Sequence, residues 1–379
     1  MSQSETCFLW GPRQTGKSTL LKTLFHRSRR YDLLLASEYR RLVQKPGILR
    51  EEILADKSAG ERQHFPVIID EIQKIPELLD EVHWLIENSG VRFILCGSSA
   101  RKVKRGQANL LGGRAIRYEL HPLVYHEIPD FDLIKALNAG LVPRHYLSSR
   151  PRRLLESYVG DYLKEEIVAE ALTRNIPGFN RFLEVAALSN GELVNYRNIA
   201  SETGVSAPTA KEYFRILEDT LIGKMVPAFR KRAKRRLIGA PKFYFFDIGI
   251  VSHLARRGKI ESGSELFGKA FEQFIFMELK AHASYSEINY PIAYWRTASG
   301  FEVDFILEDE DNLVAVEVKS TDLIRNRHLK GIRAFKQEYP AKHFIVVSME
   351  PRPRQTEDGI NLIPWEIFLE RLWSNQIIN

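Results

Sequence analysis

Gly11-Pro12-Arg13-Gln14-Thr15-Gly16-Lys17-Ser18-Thr19 is the stretch on which the reading of this chain turns. It fits the spacing G-x-x-x-x-G-K-[ST], in which each fixed residue has a physical task. Gly11 and Gly16 let the backbone turn tightly and present consecutive N–H groups to phosphate oxygens. Lys17 would reach the β- and γ-phosphates of a nucleotide, and Ser18 would ligate Mg²⁺. The flanks agree. Glu-Thr-Cys-Phe-Leu-Trp, from Glu5 to Trp10, predicts a buried strand, and Leu20, Leu21 and Leu24 recur at helical spacing from Ser18 to Phe25. A strand–loop–helix unit puts the loop at a helix N-terminus, where the dipole favours anions.

Length and composition narrow the setting. A chain of 379 residues predicts two to four domains, and 44% hydrophobic with 27% charged residues is ordinary for a soluble protein. No apolar run reaches a membrane span and the start lacks a secretory signal pattern, so no membrane partner is expected. The two cysteines, Cys7 and Cys96, each sit in an apolar strand-like run. They read as buried thiols in neighbouring strands, which fits a reducing cytoplasm. The net charge of +7 points weakly to an anionic partner.

Downstream, Tyr31–Leu35 predicts a second strand and 37–57 a polar helix. Phe65 to Asp70 is a continuous apolar run of the kind buried on both faces in parallel sheets, ending in Asp70-Glu71. After a phosphate loop this is the expected second nucleotide motif. Asp70 would hold the Mg²⁺ shell and Glu71 would polarise the attacking water. Residues 72–88 predict a helix and 92–97 another buried strand, leading to Ser98 and Ser99. Ser98 could sense the γ-phosphate between the two acidic residues, or either serine could cap a helix beginning near Arg101. Arg114, on the glycine-flanked turn Gly112-Gly113-Arg114, is ranked first for a finger reaching a neighbour's γ-phosphate, which would require a homo-oligomer; Arg101 and Arg105 compete for that role.

The series GPRQTGKST, VIIDEIQKIPELL, FILCGSSARKVKRGQANLLGGRA and YELHPL resembles the prokaryotic AAA-superfamily ATPases that carry a C-terminal PD-(D/E)xK nuclease-like domain. The likeness covers nearly the whole chain, and its GSSARK…LLGGRA block is more specific than the phosphate loop. It implies an α/β fold with a P-loop NTPase parallel-sheet core over 1–130, followed by a helical lid over 131–185. A winged-helix domain (186–246) and an αβββαβ nuclease-like domain (247–379) would complete the chain. Family members usually have a helical segment before the first strand, whereas here ten residues precede Gly11. The adenine side of the loop is therefore expected either to be built differently or to begin further upstream.

The residues themselves support a helix-turn-helix around Gly204, with a second helix over 209–221 that carries Lys211 and Arg215 beside Glu212, Glu218 and Asp219. Two strand-like runs, 224–229 and 243–246, flank Arg230, Lys231, Arg232, Lys234, Arg235 and Arg236, six cations in seven positions. As a wing this run would contact the DNA backbone in a salt-sensitive way; solvated loop charge and protein binding are the competing readings.

From 265 onward the pattern is a helix, three strands, a helix and a strand. Asp304 lies on the second strand and Glu317-Val318-Lys319 on the third. Period-two alternation puts Glu317 and Lys319 on one face and Val316 and Val318 on the other. Asp304 and Glu317 would ligate Mg²⁺ or Mn²⁺, Glu272 could complete the acidic set, and Lys319 would orient water or stabilise the phosphate. The competing reading is a retained ion-pair network. Two functions follow. One is a Mg²⁺-dependent ATPase whose nucleotide state controls a DNA-associated, metal-dependent nuclease module. The other is a nucleotide-gated binding or signalling module on a silent nuclease-like scaffold.

Overall fold

The structure, a computed structural model, describes residues 5–59, 65–99, 111–163, 175–231, 235, 237–309 and 312–378. The chain divides into two units: residues up to His121 with Ile216–Ile222, and Pro122–Arg215 with Gly223–Asn379.

The first unit is a parallel sheet with helices. Its strands are β1 (Cys7–Trp10), β2 (Arg30–Asp32), β3 (Val67–Asp70), β4 (Phe93–Gly97) and β5 (Ile116–Glu119). Among the described residues the order is β2-β3-β4-β1-β5, every pairing parallel. The runs that form β1, β3 and β4 are apolar without alternation because both of their faces are covered, and their side chains are buried throughout. Helix α1 (Lys17–Leu24) follows the phosphate loop. Cys7 and Cys96 are buried free thiols in the adjacent strands β1 and β4, as expected. Burial pushes the Cys7 thiol up to about 11.

Three expectations need correction here. The second strand is shorter and earlier than predicted, because a turn at Leu33-Leu34 ends it. The expected polar helix is two helices, α2 (Ala36–Gln44) and α3 (Ile48–Ser58), broken at Lys45-Pro46-Gly47 where proline and glycine interrupt the ladder. The helix predicted over 72–88 begins as a single 3₁₀ turn, Ile72–Lys74, and resumes past Pro76 as α4 (Leu78–Ser89).

In the place expected for a winged helix are the helices Tyr196–Thr203 and Ala207–Asp219 around Gly204, the second counted with the second unit as far as Arg215. An antiparallel pair follows, β6 (Gly223–Val226) and β7 (Lys242–Phe245). Of the basic run between these strands, Lys231 pairs with Glu308. Arg235 donates to the Ala334 carbonyl at 3.0 Å and pairs with Glu338 at 3.2 Å. Arg232, Lys234 and Arg236 lie outside the described residues.

Next come the helix Glu265–Tyr285, then β8 (Ile292–Arg296), β9 (Glu302–Asp309), β10 (Asn312–Lys319) and β11 (His343–Ser348). β12 (Arg354–Gln355) and β13 (Asn361–Pro364) complete a sheet of order β12-β13-β11-β10-β9-β8. β9 is antiparallel to both β8 and β10, and β10 pairs β11 in parallel. The predicted alternation along β10 is observed. Val316 and Val318 join the core under the Glu265–Tyr285 helix with Phe271, Phe274 and Phe305. Ala315 faces the other core, with Ile306, Ile332 and Phe335.

The helix Lys330–Lys336 lies against β9 through Gly331, where a β-carbon would come within 1.9 Å of the Glu302 carbonyl oxygen. Alanine normally stabilises a helix by about 0.5–1 kcal/mol over glycine, but here backbone blocks it and overpacking costs about 1–3 kcal/mol. Gly331→Ala is therefore expected to lower stability in urea unfolding; equal or greater stability would contradict this packing.

Candidate functional site

The phosphate loop leaves the C-terminal end of β1, and its backbone accepts only glycine at two points. A β-carbon on Gly11 would lie 2.5 Å from the Leu120 carbonyl oxygen, and Gly16 stands at φ +99°. Gly16 caps α1 without a side-chain acceptor, so the first-turn N–H groups are left for a ligand. Thr15 Oγ1 closes the loop by donating to the Pro12 carbonyl at 2.9 Å. Lys17 is buried and curls across it, its ammonium donating to the carbonyls of Gly11 at 2.6 Å and Pro12 at 2.8 Å. Burial pulls the Lys17 pKa down, while Glu71 and Asp70 act against that. Arg13 is half-buried, whereas Gln14, Ser18 and Thr19 are exposed on the loop and first turn.

The chemistry gathers at the C-terminal ends of adjacent parallel strands, where open α/β sheets bind ligands. Ser18 Oγ donates to Asp70 Oδ2 at 3.0 Å, joining α1 to the end of β3. Two hard oxygens at hydrogen-bond distance fit Mg²⁺, which takes few protein ligands and completes its shell with phosphate and water. Glu71, the next residue, adopts the left-handed conformation at φ 60° and ψ 42°. β4 stands between β1 and β3, and this places Ser98 beside Glu71, Oγ to Oε2 at 3.4 Å.

Gln73 was not singled out from sequence. Its amide donates to Glu71 Oε2 and, at 3.2 Å, to Ser98 Oγ. Its carbonyl oxygen is buried without a hydrogen-bond partner among the described residues. Gly97 makes room for it: a β-carbon there would meet Gln73 Oε1 at 2.2 Å and the Trp10 ring at 2.6 Å. Arg30, also unpredicted, approaches Asp70 at 3.8 Å.

Arg114 lies elsewhere. It precedes β5, whose first residue pairs with Cys7 at the start of β1, the opposite end of the sheet from the loop. There its guanidinium pairs with Glu87 of α4. Within one chain it does not join the phosphate site. Arg101 and Arg105 lie outside the described residues.

The second predicted site does bring Asp304, Glu317 and Lys319 together. Lys319 pairs with Glu317 and approaches Asp304 Oδ2 at 3.9 Å, while that oxygen accepts from the Val318 N–H at 2.8 Å. Glu317 is buried and its Oε2 has no hydrogen-bond partner among the described residues. Burial first, and Asp304 second, push its pKa up against the pull of Lys319. Glu272, from the Glu265–Tyr285 helix, accepts from Tyr244 Oη at 2.5 Å.

The unpredicted member is Lys242, the first residue of β7 and only 4% exposed. Its ammonium sits 2.7 Å from Glu302 Oε1, 3.4 Å from Glu272 Oε1 and 4.0 Å from Asp304 Oδ1. Glu302 also pairs with Arg296 at 3.1 Å. Burial alone would lower the Lys242 pKa, but the surrounding carboxylates hold it well above the usual lysine value. A cavity of about 450 Å³, lined in part by Lys242, Lys269, Glu272 and Asp304, opens onto the cluster. Among the described residues no group of three or more potential ligands is arranged to hold a metal ion. The carboxylates that would bind Mg²⁺ or Mn²⁺ instead face an ammonium, so the donor set as it stands does not fit a divalent cation.

Residues 3–129 match the AAA domain family. Residues 130–261 and 267–368 match two families described only as domains of unknown function, DUF8612 and DUF4143. No curated protein matches the chain. Among solved structures, the chain is similar to a Walker-type ATPase of Pyrococcus abyssi at 14% identity and TM-score 0.45, over 66% of this chain and 90% of that one. It is also similar to a protein from Vibrio cholerae at 12% identity and TM-score 0.21, over 98% and 96% of the two chains. The AAA-domain match over residues 3–129 implies ATP as the ligand of that segment. No helix among the described residues is long and apolar enough to cross a membrane.

If Ser18 and Asp70 together hold Mg²⁺, Ser18→Ala should raise the Mg²⁺ concentration needed for nucleotide binding by about tenfold, roughly the loss of one good ligand. A Mg²⁺ titration of fluorescent-nucleotide binding checks this; an unchanged midpoint would remove Ser18 from the metal shell.

Proposed function

We propose that this chain is a Mg²⁺-dependent ATPase whose nucleotide state governs a C-terminal binding module. What carries the first part is the convergence of Lys17, Ser18, Asp70, Glu71 and Ser98 at the ends of β1, β3 and β4, within the segment that matches the AAA domain. Mg²⁺, when bound, would supply positive charge beside the β- and γ-phosphates. Lys17, released from the Gly11 and Pro12 carbonyls, would turn to the same phosphates, and the loop N–H groups would cradle them. Glu71 would accept a proton from the attacking water. Gln73 and Ser98 are positioning residues: they hold one Glu71 oxygen, and so aim the other. Arg114, at the far end of the sheet, has a role here only if a second copy of the chain brings it to a neighbour's phosphate.

For the C-terminal half two readings stand. The nuclease reading rests on Asp304, Glu317 and Lys319 sharing one site, with Glu272 beside them. The binding-module reading is favoured by one observation: Lys242 is buried among the same carboxylates. DNA as the partner is supported by the charge of the 230–236 run, although Lys231 and Arg235 are engaged within the chain.

Three measurements follow. Lys17→Ala should lose Mg²⁺-dependent ATP binding. Glu71→Gln should bind ATP normally while turnover falls about 10²–10⁴-fold, the usual range for a lost general base; wild-type turnover by this variant would sink the assignment. Supercoiled DNA incubated with protein and Mg²⁺ or Mn²⁺, with and without ATP, should remain intact on the binding-module reading, whereas cutting that Asp304→Ala abolishes would establish the nuclease.

A further inference from the structure

We infer that Lys242 is the resident cation of the acidic cluster: its ammonium takes the place of a divalent metal among Glu272, Glu302 and Asp304, and keeping it there makes the cluster metal-independent. This rests on the binding-module reading and gives it a physical cause.

Glu272, Glu302, Asp304 and Glu317 bring four carboxyl groups to one end of a sheet, and Asp304 and Glu317 are almost wholly buried. Burying carboxylates this close together is unfavourable unless cations lie among them. A metal enzyme supplies that charge as an ion held by two or more carboxylates. Here a side chain supplies it. Lys242 reaches the three carboxylates from β7, on a strand outside the sheet that carries Asp304 and Glu317.

Two features fix the ammonium there. Lys242 is also anchored by its backbone, which pairs with Val226 across β6 and with Leu193 through an isolated bridge. Its ammonium further lies over the Tyr294 ring at 5.6 Å, a cation–π contact. Glu272, in turn, is held toward Lys242 by the Tyr244 hydroxyl, and Glu302 is held by Arg296. Lys319 neutralises Glu317 separately. A divalent ion entering this arrangement would stand beside a buried ammonium, and like-charge repulsion at such distances opposes its binding. The same geometry says what happens when the ammonium is removed. Glu272, Glu302 and Asp304 would then be three hard oxygen ligands around an empty centre, a set suited to Mn²⁺ or Mg²⁺.

The test is Mn²⁺ binding to the full-length chain, read by the loss of the free-ion electron paramagnetic resonance signal, without nucleotide. An Asp70→Asn background silences the phosphate-loop site. In that background the otherwise unaltered chain should show no further Mn²⁺ site, whereas Lys242→Gln should gain one, bound about tenfold or more tightly than any residual binding. Adding Asp304→Asn should abolish it. The second readout is thermal unfolding. Lys242→Gln should lower the melting temperature by about 10 °C, as expected for leaving buried carboxylates without their partner in a unit of this size, and Mn²⁺ should restore much of it.

Mn²⁺ bound by the chain with Lys242 intact, and lost on Asp304→Asn, would overturn the inference whether or not any Lys242 variant folds. A folded Lys242→Gln variant that neither loses stability nor gains Mn²⁺ affinity would overturn it too. These outcomes differ from failure of the binding-module reading itself, which would appear as Asp304-dependent DNA cutting.

Discussion

In a parallel sheet, the residues that leave the C-terminal ends of neighbouring strands gather along one edge, and a strand standing between two others can link what they carry. β4 stands between β1 and β3, so the tip of β4 reaches both the phosphate loop and the acidic pair. Ser98 can therefore touch Glu71, and Gln73 can bridge them, only because this strand is interposed. The loop depends on the same neighbourhood from its other side. Gly11 passes so close to the Leu120 carbonyl, just past β5, that no β-carbon fits. Strand order, and not the loop motif alone, gives the nucleotide site its shape.

The second unit solves a different electrostatic problem by a related device. Its sheet gathers carboxylates from β9 and β10 with one from the Glu265–Tyr285 helix, a concentration of negative charge that folding must neutralise. Lys242 and Lys319 do so from different elements. The Glu317–Lys319 pair is local, two residues apart on one strand, whereas Lys242 comes from β7 and links three elements. Removing a local pair would loosen one strand; removing Lys242 would leave charge uncompensated at a junction of elements.

Much of the first site was legible in the chain, because its parts follow from local rules. The phosphate loop has a fixed spacing, buried strands read as apolar runs, and Asp70-Glu71 ends such a run. Period-two alternation along β10 likewise put Glu317 and Lys319 on one face, and they do meet. What was not legible depends on partners distant in sequence. Gln73 sits in what reads as a helix; only the left-handed Glu71 before it turns its amide back toward Ser98. Lys242 reads as one more cation next to a basic run, and nothing in periodicity says that Glu272, Glu302 and Asp304 wait across from it. Its one usable signal was its place at the head of the apolar strand Phe243–Phe245, where a charged side chain must find partners or solvent. Proline and glycine set the remaining errors, dividing at Pro46 and Pro76 what periodicity alone joins into single helices.

The central claim is that residues 11–19 form an ATP-binding loop whose backbone N–H groups hold phosphate. Amide hydrogen exchange over this segment, with and without a non-hydrolysable ATP analogue and Mg²⁺, tests it most directly. The amides of the loop and the first turn of α1 should exchange markedly more slowly when the analogue is present, and Lys17→Ala should remove this protection. Exchange through the loop that is unchanged by saturating analogue would contradict it.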